Sequence, residues 1–95
     1  MQTEYQLFHN ELNRKYEFRI DNHKPYIEYS IRGDVMHLLY AKVPSELEGM
    51  GIGKALVFAV MEEVDRLGYK VIPHCGFIAL VIKRNEHLRT FLKEN

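Results

Sequence analysis

The chain has 95 residues, 46% of them apolar, and its 13 basic residues balance its 13 acidic ones. That length predicts one domain over residues 1–95 with a small core, and the charge balance argues against a nucleic-acid or polyanion partner. No run is long enough to span a membrane, no N-terminal apolar stretch reads as a signal peptide, and one cysteine excludes an intramolecular disulfide, so a cytoplasmic protein is expected.

Residues Met1 to Asn13 show no clear register, although Leu7, Phe8 and Leu12 are apolar enough to pack. Tyr16, Phe18 and Ile20 then alternate with Glu17, Arg19 and Asp21, which predicts a half-buried strand with one wet face. Asp21-Asn22-His23-Lys24-Pro25 has the composition of a turn. Tyr26 to Ile31 returns as a strand, with Ile27, Tyr29 and Ile31 on one face, so the two strands make a hairpin. Arg32-Gly33-Asp34 is the next turn; its likeness to an adhesion tripeptide is set aside for a cytoplasmic chain. Val35 to Val43 is the third strand. Its near-continuous apolar run predicts a central place, buried on both faces. On it, His37 and Tyr40 differ by an odd number and are expected on opposite faces.

A helix follows. Ile52, Leu56, Ala59, Val60, Val64 and Leu67 recur at helical spacing, with Lys54, Glu62, Asp65 and Arg66 on the wet side. Glu62 is placed to pair with Arg66, and Gly68 to stop the helix. Tyr69 to Pro73 is a fourth strand, parallel to the third because a helix joins them. From Ile78 onward one bent helix or two short ones are expected, with Asn85 at the break and available as a cap. The fold class is therefore α+β: a mixed, mostly antiparallel sheet, one long helix after the third main strand and a C-terminal helical segment. Five scattered histidines and a single cysteine give no ligand-spaced pair, so no metal is expected.

Between the third strand and the helix lies Gly49-Met50-Gly51-Ile52-Gly53-Lys54. Alternating glycines let backbone N–H groups converge, and they do so at a helix N-terminus, where unpaired donors and the helix dipole attract an anion. The stretch is neither a Walker A loop, since Ala55 follows Lys54, nor a G-x-G-x-x-G fingerprint. Residue types alone leave two readings open: a phosphate-binding loop, or a plain glycine turn.

The segment Val43-Pro44-x-Glu46-Leu47-Glu48-Gly49-x-Gly51-Ile52-Gly53-x-Ala55-Leu56-Val57 resembles the acetyl-CoA pyrophosphate loop of the GNAT N-acetyltransferases. Most of that superfamily has Arg or Gln where this chain has Glu48. Glutamate there is similar to a small single-domain GNAT-like subfamily, which also carries Pro-x-Cys on the next strand; here that is Pro73-His74-Cys75. The resemblance implies acetyl-CoA as co-substrate, wedged between the third and fourth strands. It implies a cofactor-binding set of backbone groups at Ala41, Lys42 and Val43, the loop Glu48, Gly49, Met50, Gly51, Ile52, Gly53 and Lys54, and Lys83 and Arg84 toward the 3′-phosphate. An ordinary wet helix face is the competing account of Lys83 and Arg84. Glu46 and Glu48, as carboxylates beside a pyrophosphate, are expected to point outward.

The same resemblance puts Cys75 in the active site. Its role stays open among nucleophile, proton-transfer group and pocket lining. His74 is a poor base for Cys75, because neighbouring strand residues face opposite ways. Two departures bear on substrate choice: Tyr40-Ala41-Lys42 stands where the subfamily often has His-Thr-Glu, and Asn85-Glu86-His87-Leu88 where it often has His-Pro-Glu-Tyr. The implied function is N-acetyl transfer to an unidentified amine, by a monomer or weak homodimer. The alternative is a CoA or acyl-CoA binding or sensing module without turnover.

Overall fold

The computed structural model describes residues 5–94. Five strands form one sheet in chain order: β1 (Phe8–Asn10), β2 (Lys15–Glu17), β3 (Tyr26–Arg32), β4 (Val35–Lys42) and β5 (Lys70–Pro73). The first four pair antiparallel, and β5 joins β4 in parallel, as a strand–helix–strand connection requires. A 3-10 turn (Ser45–Leu47) and the long helix α1 (Ile52–Leu67) link β4 to β5, and α2 (Gly76–Lys83) and α3 (Glu86–Arg89) follow. The C-terminal region is thus two short helices. Asn85 stands at the α3 N-cap position, but its side chain donates to the Val81 carbonyl at 2.7 Å instead of capping α3.

The core lies between the helices and one sheet face. That face carries Tyr16, Ile27, Tyr29, Met36, Leu38 and Val71, all buried, against Leu56, Val60 and Val64 of α1 and Ile78 and Ile82 of α2. Burial on α1 is wider than its periodicity predicts. Val57, Phe58 and Met61 are buried as well, and Phe58 stacks on His87 of α3, whereas Leu67 is exposed. No helix among the described residues covers the opposite sheet face: Tyr26, Glu28, Ser30, Val35, His37, Tyr40 and Ile72 are all at least partly exposed. A strand with one wet face needs polar or amphipathic residues there, and β4 supplies His37, Tyr40 and Lys42. The expectation that β4 is buried on both faces is therefore corrected: it is central, with burial on one face.

A bulge in β4 explains a second correction. Tyr29 pairs with Leu38 and Glu28 with Tyr40, so Leu39 is the extra residue. One inserted residue reverses the alternation beyond it. His37 and Tyr40 consequently share the uncovered face rather than lying on opposite ones, and Tyr40 is 48% exposed.

Three further readings change at the edges. Leu12 is 92% exposed and packs on nothing, whereas Phe8 belongs to β1. β1 is held by aromatic stacking: the His9 ring lies 4.3 Å from that of Tyr16, and His9 Nε2 hydrogen-bonds the Tyr29 hydroxyl. Burial pushes the Tyr16 phenol up to about 12, with Tyr29 and Glu63 adding to the shift. Glu17, expected on the wet side, is only 4% exposed, because Phe8 pairs opposite it and Arg19 closes over both. The Arg19 Nε donates to Glu17 at 3.1 Å while its guanidinium lies 3.9 Å from the Phe8 ring, so the buried carboxylate keeps a charged partner. Arg66 pairs with Glu63 three residues back, not with Glu62, and holds the Glu63 carboxyl below its ordinary value.

Candidate active site

β4 and β5 run paired from Val35 opposite Lys70 to Leu38 opposite Pro73. The last rung is the His74 N–H donating to the Leu38 carbonyl at 2.8 Å. Beyond it the strands part. β5 ends at Pro73, Cys75 becomes the N-cap of α2, and β4 continues to Lys42 paired only with β3. The side of β4 that faced β5 is thereby left open from Leu39 onward, which offers an extended amide chain a strand edge to add to.

A groove of about 390 Å³ opens in this gap. Ala41 of β4 and Val43 just beyond it form one wall, Phe77 of α2 another, and Glu48, Gly49, Gly51, Ile52, Gly53 and Lys54 the floor. The loop's geometry follows from its glycines. Gly49 and Gly51 have φ of +81° and +74°, the left-handed region open to glycine, and both line the groove. The N–H groups of Gly49, Gly51, Ile52, Gly53 and Lys54 have no hydrogen-bond partner among the described residues; the first helical rung is Ala55 N–H to the Gly51 carbonyl. Gly53 is needed for another reason. A methyl there would stand 3.0 Å from the Phe77 ring, so its absence lets α2 close on the first turn of α1.

A smaller cavity of about 230 Å³ adjoins the groove, sharing Lys54 and Phe77 with it and lined further by Leu80, Arg84 and Asn85. The structure therefore gathers Ala41, Val43, Glu48, Gly49, Gly51, Ile52, Gly53 and Lys54 around one groove and puts Arg84 beside its extension. Met50 is exposed away from that lining, and Lys42 lies on the uncovered sheet face. Lys83 points to solvent while its carbonyl accepts a hydrogen bond from Arg89. Glu46 and Glu48 are both exposed, and Glu48 still contributes to the groove floor. Cys75 is partly buried against the core and lines neither cavity. Phe77 was missed in the sequence; its only signal was an aromatic residue two places after the Pro-x-Cys cysteine.

An α+β sheet that parts beside unpartnered backbone donors is suited to an elongated ligand with phosphate at one end and a strand-like arm at the other. A family model described as GCN5-related N-acetyl-transferase matches residues 15–91, and the chain belongs to that family. Its fold is similar to the NMR solution structure of a GCN5-like candidate N-acetyltransferase from Staphylococcus aureus, with 21% identity, a TM-score of 0.74, and coverage of 99% of this chain and 93% of that one. The comparison with curated proteins gave no match. No helix among the described residues is long and apolar enough to cross a membrane.

Proposed function

We propose that the chain is one acetyl-CoA-binding domain that transfers the acetyl group to an amine. The N–H groups at Gly49 and from Gly51 to Lys54, unpartnered among the described residues, carry this reading. Backbone donors at a helix N-terminus favour a bound anion, and their fixed arrangement needs no reorganisation. The pyrophosphate lies on these groups, the pantetheine arm adds along the end of β4 at Ala41 and Lys42 and on to Val43, and Lys54 and Arg84 face the nucleotide phosphates. Lys54 at the junction of the two cavities supports that placement. The thioester then reaches the point where β4 and β5 part, near Cys75.

Catalysis at this site consists chiefly of holding the thioester carbonyl in reach of the amine. Cys75 either lines the reaction chamber or takes the acetyl group itself. The test is acetyl-CoA turnover on a panel of spermidine, a lysine-containing peptide and a peptide with a free N-terminus, read by mass spectrometry of acceptor and intact protein. Acetylated acceptor is the expected result. An acetyl group on the protein that vanishes in Cys75→Ala and discharges to the amine marks the covalent route; product without it marks direct transfer. Failure to bind acetyl-CoA would sink the reading.

A further inference from the structure

We propose that His37 and His74 form the proton relay for this acetyl transfer; the inference rests on the cofactor placement above. His37 Nδ1 and His74 Nε2 are 2.9 Å apart, and the rings stack with centroids 5.1 Å apart. The pair sits at one place for a structural reason. His37 is on β4 opposite Ile72, and His74 supplies the last rung before the strands part. The two imidazoles therefore stand at the point of divergence, on the uncovered sheet face. α1 and α2 occupy the other side of the groove. A ligand lying in the groove leaves this uncovered side for the amine's approach.

The chemistry follows from the bond. One proton lies between the two rings, whichever ring donates it. The unused nitrogens, His37 Nε2 and His74 Nδ1, are the two ends of a two-ring wire, and in the neutral pair one of them is a free acceptor. A proton accepted at that end shifts the shared proton and releases one from the other end to water. An ammonium acceptor gives one proton to the pair and becomes a free amine. Its lone pair forms the C–N bond to the thioester carbonyl, the C–S bond breaks with its electrons leaving on sulfur, and the second amine proton ends on the CoA thiolate. Acetyl-CoA and ammonium thus give amide, CoA and one proton, with no other reactant.

The titratable groups sharing this face are Lys15 and Glu17 of β2, Tyr26, Glu28 and Arg32 of β3, Tyr40 and Lys42 of β4 and Lys70 of β5. None has a hydrogen bond or ion pair to either imidazole among the described residues; Lys70 instead donates to the Thr90 carbonyl. The pair is thus each ring's own partner, which a purely structural role on an exposed face does not require.

The experiment measures acetyl-CoA affinity by calorimetry, and turnover against pH on spermidine, the lysine peptide and water, for wild type, His37→Gln, His74→Gln and His74→Ala. Glutamine keeps a hydrogen bond but accepts no proton. Expected are CoA affinity within twofold of wild type, a loss of about 10²-fold in turnover, disappearance of the acid limb of the kcat/KM profile, and partial rescue of His74→Ala by added imidazole. Variants within threefold of wild type, an unchanged acid limb, or bound cofactor with no wild-type turnover on any of the three acceptors would overturn the relay. A wild-type protein that fails to bind acetyl-CoA fails earlier, at the cofactor reading.

Discussion

Gly51→Val is expected to weaken acetyl-CoA binding by at least ~10²-fold while leaving the protein folded. Gly51 has φ of +74°, where an L-residue costs ~1–2 kcal/mol and a β-branched one more. A Cβ at Gly51 meets nothing within 4 Å, so no clash with the core accompanies the change. The backbone relieves the strain by rotating, and the N–H groups of Gly51 and Ile52 then turn from the groove. Charge-assisted hydrogen bonds contribute ~1.5–3 kcal/mol each, so losing two accounts for the expected drop. Gly51→Asn tolerates the left-handed region better and is expected to retain more affinity than valine. Calorimetry with CoA, beside a thermal melt, checks both. Valine binding within threefold of wild type would mean that the loop is only a turn.

Leu56→Ala is expected to remove about 2–5 kcal/mol of stability, the usual range for a fully buried leucine. Leu56 is completely buried in the middle of the layer where α1 meets the sheet. A domain of this size has a total of only ~5–15 kcal/mol, and each kcal/mol moves the melting temperature by about 4–8 °C, so the midpoint falls by roughly 8–40 °C. Urea unfolding gives the number directly. A loss under ~1 kcal/mol would contradict the seating of α1 on the sheet. The functional consequence is indirect but firm: the loop donors are aimed by the first turn of α1, so loosening the helix loosens the site.

The parts legible in the sequence are those set by one element at a time. Ile52 to Leu67 declares a helix by spacing, Gly68 ends it in the left-handed conformation, and the Gly49–Gly53 run announces its turn. The parallel order of β4 and β5 follows from connectivity alone. What stayed hidden depends on partners far apart in the chain. β1 is three residues long and owes its place to His9 stacking on Tyr16, which no local pattern encodes. The bulge at Leu39 is invisible without the β3 register, and it moved Tyr40 to the other face. Glu17 reads as polar and exposed until Arg19 and Phe8 close over it. The His37–His74 bond joins residues 37 positions apart and needs the β4–β5 register to be seen. The candidate site divides along the same line: its backbone loop was readable, while the Phe77 wall was not.

The most direct measurement is a titration of 15N-labelled protein with acetyl-CoA, followed residue by residue in the amide spectrum. The account predicts the largest shifts at Gly49 and Gly51 to Lys54, with smaller ones at Ala41, Val43 and Phe77. Binding without change at those loop amides, or shifts centred on the cavity beside Tyr16 and Glu63 instead, would contradict it.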